Sequence, residues 1–335
     1  MRLAAAGELT LLDQLKRGFR EKSRDLVLGI GDDCAVIRPA DENMLLTTDM
    51  MVEGVHFDLR WTTPYQLGFK LVSVNVSDIY AMGGRPRFML LDFAADKTFE
   101  MKDFKRLFDG VRAGLKKYGV SLVGGDISSA GKLVLSATLV GYASRPVTRS
   151  GARPGDLIYV TGSPGDSACG LMLLKKMKKR IEIERRANPD IKPDAGLVAT
   201  LGWKTVLPLV KRHLMPSAVR PDRYAEAATA MIDISDGLLM DLSRICKASG
   251  TGARIYAENI PVSPEMRRAA AYLKTDPLEP ALSGGEDYEL LFTAPEGKFL
   301  GATCIGEITA RGMQLVDAAG KRKNIGPRGY QHFSA

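Results

Sequence analysis

Residues 45–49 read Leu45-Leu46-Thr47-Thr48-Asp49, a short apolar run that ends on two hydroxyls and a carboxylate. The run predicts a strand whose last residues present oxygen atoms. The same ending recurs along the chain. Ser121–Val123 runs as a strand into Gly124-Gly125-Asp126, and Met231–Ile234 carries Asp233 and leads into Ser235-Asp236-Gly237. Asp32 and Asp33 follow Gly29-Ile30-Gly31. Most of these aspartates stand at a strand end or beside glycine, where backbone can approach a ligand closely.

Helical spacing fills the intervals. Pro64 can open a helix, with Thr62 or Thr63 as its cap. Leu67, Leu71 and Val74 then recur at helical spacing as far as Gly83-Gly84. Asp78, in the string Val74-Asn75-Val76-Ser77-Asp78, falls near the end of that helix. Phe88–Phe93 predicts a strand, Phe104, Phe108, Val111 and Leu115 mark an amphipathic helix, and Leu133–Tyr142 predicts a long strand rich in branched residues. The Pro/Gly/Arg stretch Arg145–Asp156 places a boundary between a domain of residues 1–146 and one of residues 147–335. Beyond it come a strand at Leu157–Thr161, a helix from near Ser167, and a helix after Gly237 that runs through Ile245. Strands follow at Ile255–Ala257 and Tyr288–Thr293. The proline-interrupted span 189–221 reads as loop-rich. Alternation of this kind predicts a mixed α/β (α+β) fold in two domains.

Composition narrows the class. A chain of 335 residues accommodates two cores, and 45% hydrophobic with 26% charged residues is ordinary globular protein. Glu8 and Asp13 interrupt the short apolar patch of residues 1–15, so no signal peptide is expected. No stretch approaches the roughly 18 apolar residues of a membrane span. Cys34, Cys169, Cys246 and Cys304 are scattered without a CxxC pair, which suits free thiols in a reducing, cytoplasmic setting. Much of the net charge of +8 comes from Lys175–Arg186, read as a solvated helix face. Aromatic residues make up only 7% of the chain and none interleave with that run, so a stacking platform for nucleic acid is missing.

The carboxylates carry the chemistry. At about 4 Å and an effective dielectric near 20, a like-charge pair costs on the order of 4 kcal/mol. A hard divalent cation removes that cost, and magnesium is commonly shared between carboxylates and substrate phosphates. There is no GxxxxGK[ST] loop and no HRD or DFG pair. A bound nucleotide would therefore be held by metal and by glycine-flanked amides.

Taken in order, these strings resemble the thiamine-monophosphate kinase family. They are Gly29–Ala35, Thr47-Thr48-Asp49 with Gly54-Val55-His56-Phe57, Val74–Asp78 with Ala81-Met82-Gly83, and Gly124-Gly125-Asp126. Thr148–Ala152 with Pro154-Gly155-Asp156, Asp233–Leu238, Ser283–Leu290, and Gly329-Tyr330 with His332-Phe333 complete the set. The resemblance implies a synthetase-like fold and a homodimer whose N-terminal domains join strands across a two-fold axis. It also implies a C-terminal α/β domain that closes over nucleotide and substrate. The implied reaction is ATP plus thiamine monophosphate giving ADP and thiamine diphosphate, with several Mg2+ ions, no membrane and no nucleic acid. By the same resemblance Asp33, Thr47, Thr48, Asp49, Asp78, Asp126, Asp233 and Asp236 match magnesium positions. Gly125, Asp126, Arg149 and Ser235 match nucleotide contacts, and His56, Glu286 and Tyr330 match contacts to thiamine. No general base is expected. Two rivals remain, another ATP-dependent synthetase of the same superfamily and a basic nucleic-acid-binding protein. Selenophosphate synthesis typically employs a Cys or selenocysteine in a glycine-rich N-terminal loop, and the segment before Gly29 has no cysteine.

Overall fold

The computed structural model describes residues 8–19, 25–28, 35–183 and 196–332. The chain divides into two compact units. One comprises the described residues among 1–79, 84–145 and 179–189, and the other those among 80–83, 146–178 and 190–335.

In the first unit, α1 (Glu8–Gly18) and a small antiparallel pair, β1 (Leu26–Leu28) with β2 (Val36–Ile37), precede the main sheet. That sheet contains β3 (Asn43–Val52), β7 (Val134–Ala143), β4 (Arg85–Ala95) and β5 (Ser121–Gly124) in this spatial order, with β6 (Ile127–Ser129) also pairing β4. Strand β7 is antiparallel to both neighbours, whereas β5 and β6 run parallel to β4. Two helices complete the unit, α2 (Pro64–Ala81) and α3 (Met101–Tyr118). Helix α2 opens on a reciprocal cap. The Gln66 amide donates to Thr63 Oγ1 at 3.2 Å, and the Thr63 amide donates to Gln66 Oε1 at 2.9 Å. Phe93, Phe104 and Phe108 form one aromatic cluster, with centroids 5.2 and 4.7 Å apart along the chain of contacts.

The second unit holds a seven-stranded sheet in the order β14-β13-β10-β12-β8-β11-β9. In chain order these strands are β8 (Leu157–Thr161), β9 (Ala230–Asp233), β10 (Gly252–Tyr256), β11 (Leu290–Ala294), β12 (Ala302–Thr309), β13 (Met313–Val316) and β14 (Arg322–Asn324). Only β10 and β13 pair in parallel. Its helices are α4 (Asp166–Met177), α5 (Leu197–Leu201), α6 (Trp203–Leu214), α7 (Leu238–Ser249), α8 (Pro264–Leu273) and α9 (Leu278–Ser283). Tyr159 and Tyr224 stack on Phe292 at the centre of its core.

Three expectations need correction. The strand expected to end at Asp49 continues to Val52, so Asp49 stands inside β3. The basic run is not one helix face: α4 stops at Met177, and Lys178 turns left-handed with φ 52°. Ile181 beyond it is buried, and its carbonyl accepts from Gln66 Nε2 at 2.5 Å. The span 189–221 is not loop-rich throughout, because α6 crosses it despite Pro208. Val206, Leu209, Val210 and Leu214 bury one helical stripe, and that burial outweighs the one hydrogen bond Pro208 removes. Among the described residues no helix is long and apolar enough to cross a membrane, and Cys169, Cys246 and Cys304 are free thiols.

Candidate active site

In the first unit three of the candidate metal positions, Thr47, Asp49 and Asp78, meet on one face of β3. Burial alternates along this strand: Leu45, Thr47, Asp49 and Met51 face inward, while Met44, Leu46, Thr48 and Met50 face out. Asp78 reaches Thr47, whose hydroxyl donates to Asp78 Oδ2 at 2.5 Å. Between Gln66 and Tyr80 every residue of α2 is buried except Asp78, so over this stretch the helix surfaces at that carboxylate. Thr48 points to the opposite face, where its hydroxyl donates to the Ala137 carbonyl at 3.0 Å. Asp33 lies outside the described residues.

Asp126 sits at the far side of the same sheet. Its amide donates to Asp92 Oδ1 at 3.0 Å and its carbonyl accepts from Phe93 N–H at 2.9 Å, which docks it against β4. Gly125 makes that docking possible. It adopts φ 144°, and a Cβ there would fall 1.8 Å from the Leu91 carbonyl oxygen. Asp49 pairs with Ala137, which pairs with Leu91, so Asp49 and Asp126 are three strand spacings apart. At about 4.8 Å per spacing, that is about 14 Å along the sheet.

His56 closes a tight turn after β3. The Val52 amide donates to His56 Nδ1 at 3.1 Å, and the His56 amide donates to the Val52 carbonyl at 3.0 Å. Because Nδ1 accepts, the hydrogen of the neutral ring sits on Nε2.

In the second unit the segments 233–237, 284–288 and 329–330 interlock. The Glu286 amide donates to Ser235 O at 2.7 Å, Tyr288 N–H to Ile234 O at 2.9 Å, and Tyr330 N–H to Asp236 O at 2.9 Å. Ser235, Asp236, Glu286 and Tyr330 thus share one neighbourhood, with buried Asp233 two residues upstream. Glu286 and Tyr288 both hold left-handed backbone, φ 64° and 54°, an arrangement costly for side chains other than glycine. Arg149 lies beside β9, where the Met231 N–H donates to the carbonyl of the preceding Thr148 at 3.0 Å. The Arg149 carbonyl accepts from Ser249 Oγ at the end of α7, whereas Ser235–Gly237 precede the start of that helix. The eleven-residue rise between these ends is about 16 Å. The Arg149 side chain is exposed.

Several supporting residues carried no expectation. Asp241 is fully buried, and its Oδ2 accepts from the amides of Ser235, Asp236 and Gly237 at 3.1 Å each. Burial pushes its carboxyl up to about 6, against the opposing pull of Arg244. Arg244 forks between Asp236 Oδ2 and Asp241 Oδ1, both at 2.5 Å. Asp287 accepts the amides of Gly165 and Ser167 at 2.6 and 3.0 Å, satisfying the first turn of α4. Arg212 pairs with Glu289 at 2.7 Å, and Thr161 Oγ1 donates to the same carboxylate. A capping pattern, an acid in the first turn of a predicted helix, was the available signal for Asp241.

Asp166, the first residue of α4, accepts from Ser263 Oγ at 2.6 Å. Burial pushes its carboxyl up from 3.8 to about 6, against the Ser263 hydrogen bond. Between about pH 4 and 6 the folded chain therefore binds a proton that the unfolded chain has lost, so this group makes stability fall as pH rises. Asp166→Asn removes that slope. Its stability relative to the parent is expected to improve by about 2 kcal/mol between pH 4 and pH 7. Denaturant titrations at both pH values measure this, and a constant difference would refute it.

The donor set is entirely hard oxygen. Among the described residues no three carboxylate, histidine or cysteine side chains converge into a closed metal cage. Oxygen donors of this kind fit magnesium, which takes one or two carboxylates together with waters and substrate phosphates.

The chain is a two-domain protein of the aminoimidazole ribonucleotide (AIR) synthase-related class. Residues 31–143 match AIR synthase related protein, N-terminal domain, and residues 153–316 match its C-terminal domain. Within that class, the chain belongs to the thiamine-monophosphate kinase family. It is 37% identical to thiamine-monophosphate kinase of Aquifex aeolicus, over 99% of this chain and 100% of that protein. Against the Escherichia coli K12 enzyme of the same name identity is 36%, over 98% and 99%. The solved structure of AaThiL complexed with AMPPCP and TMP superposes with a TM-score of 0.75 at 36% identity, covering 99% of each chain.

Proposed function

We propose that the chain transfers the γ-phosphoryl group of ATP to thiamine monophosphate, giving thiamine diphosphate and ADP. The observation that carries this reading is the end-to-end likeness to a protein complexed with AMPPCP and TMP, a nucleotide analogue and the acceptor. A direct test follows thiamine diphosphate by chromatography after incubation with ATP, magnesium and thiamine monophosphate. Absence of product would overturn the reading.

The residues divide by chemistry. Asp33, Thr47, Thr48, Asp49, Asp78, Asp126, Asp233 and Asp236 would hold magnesium. With Asp49 and Asp126 so far apart, more than one ion is required, since Mg–O bonds are only about 2.1 Å. When bound, magnesium neutralises the charge shared by two polyanions brought together. Gly125, Asp126 and Ser235 serve the nucleotide through close backbone approach, and Arg149 through its guanidinium fork. His56, Glu286 and Tyr330 serve the thiamine moiety. His56 offers an Nε2–H donor, Glu286 a carboxylate suited to a cationic heterocycle, and Tyr330 an aromatic face with 47% exposure. Residues 1–146 and 147–335 form the two functional domains of a cytoplasmic enzyme of thiamine diphosphate biosynthesis.

The same reading assigns a homodimer. Strand β3 is ten residues long, lies at the edge of its sheet, and exposes Met44 (53%), Leu46 (67%) and Met50 (57%) on one face. A long apolar edge strand is a template for pairing with a second copy. Sedimentation at micromolar protein is expected to give a dimer, and Leu46→Lys with Met50→Lys a folded monomer. A fully active parent monomer would count against this assembly.

A further inference from the structure

We infer that His213 is a positioning residue for the acceptor-binding carboxylate of Glu286. The packing of two helices sets it up. Gly170 on α4 meets α6 so closely that a Cβ there would lie 2.1 Å from the Leu209 carbonyl oxygen. One turn back on α4 stands Ser167, and one turn on along α6 stands His213. Close helix approach therefore brings Ser167 Oγ to 3.2 Å from His213 Nδ1. The same Nδ1 lies 3.2 Å from Glu286 Oε2.

That shared nitrogen fixes the hydrogen. An ionised carboxylate only accepts, so Nδ1 carries the proton and donates toward Glu286, with the Ser167 oxygen as its second acceptor. The His213 side chain is 5% exposed and that of Glu286 27%, so the imidazole grips from inside while the carboxylate remains reachable from outside. Glu286 needs this grip. Its left-handed backbone is held on the main-chain side by Ser235 O, and His213 fixes the side-chain side. The adjacent residue makes a parallel contact, since Arg212 pairs with Glu289, three positions after Glu286. The last turn of α6 thereby secures two glutamates of the segment that enters β11. His213 touches neither substrate in this assignment. It acts by presenting one carboxylate edge of Glu286 to the positively charged, nitrogen-rich acceptor.

The inference rests on the assignment of Glu286 to the thiamine moiety, and the experiment separates the two. His213→Leu removes the donor, whereas His213→Asn places an amide N–H near the position of Nδ1. His213→Leu is expected to raise KM for thiamine monophosphate roughly tenfold, in keeping with loss of a charge-assisted hydrogen bond. Its kcat and KM for ATP should stay within about twofold, and His213→Asn should restore most of the affinity. Calorimetric binding of thiamine monophosphate without ATP should move in parallel. If Glu286→Gln leaves that KM unchanged, the substrate assignment falls. If Glu286→Gln raises it while His213→Leu does not, only the positioning role falls. Should His213→Leu fold poorly, His213→Gln, whose amide falls near the position of Nε2 and so lacks the Nδ1 donor, and the double variant His213→Gln/Glu286→Gln decide. Effects of the two substitutions that simply multiply would overturn the inference, and a double variant no worse than Glu286→Gln alone would support it.

Discussion

Asp49→Asn is expected to lower kcat/KM by about a hundredfold or more, the scale on which a preorganised electrostatic contact is felt in catalysis. It should do so while leaving the fold intact. Asp49 lies inside the long β3–β7 ladder, where ten consecutive pairs fix the backbone whichever polar side chain stands there. Its inward face carries Thr47 and, through the Thr47 hydroxyl, Asp78, so the substitution removes one negative charge from a face that carries a second carboxylate. Relief of like-charge repulsion predicts a melting temperature in chelator equal to or above that of the parent. Asp126→Asn should behave alike, because that residue is anchored through its main-chain N–H and C=O rather than its exposed side chain. Calorimetric titration with magnesium and nucleotide should show weakened binding in both. Lower thermal stability of both variants in chelator would identify the aspartates as structural instead.

Parts of this arrangement were legible in the sequence for physical reasons. Helix α2 announced itself through Pro64 and the threonines before it, local signals, and its end through Gly83-Gly84; the return contact from Gln66 came only with the structure. The positions of Asp126 and Asp236 were legible because glycines punctuate strand ends locally, whereas the strand end read at Asp49 is the interior of β3, which continues to Val52. Helix α6 was obscured by Pro208, a strong local signal that the buried stripe of Val206, Leu209, Val210 and Leu214 overrides. The basic run misled because charge alone does not reveal that Ile181 within it is buried. His213 and Glu286 are 73 positions apart and meet only in the folded chain, which no local pattern encodes. Asp241 was hidden differently, since its partners are backbone amides, which carry no residue identity.

Free thiamine is expected to be phosphorylated at least about a hundredfold more slowly than thiamine monophosphate, because the two acceptors differ in what must be removed. A phosphate monoester has a second pKa of about 6, so its oxygen is already mostly ionised near neutrality. A hydroxyl acceptor must lose a proton in the transition state, and a positioned base contributes about 10²–10⁴-fold there. His56 is unsuited to that task. Its Nδ1 accepts from Val52 N–H, which leaves a hydrogen rather than a lone pair on Nε2 of the neutral ring. Catalysis then rests on bringing two polyanions together in line, through charge neutralisation and positioning. Transfer should proceed with inversion at a chiral γ-phosphorus and without a phosphoenzyme. His56→Asn should raise KM for thiamine monophosphate and leave the acidic limb of the pH profile in place. Retention of configuration or a trapped phosphorylated residue would sink direct transfer. Loss of the acidic limb in the His56 variant would make that imidazole the titrating group, and equal turnover of free thiamine would require a base in place of the ionised acceptor.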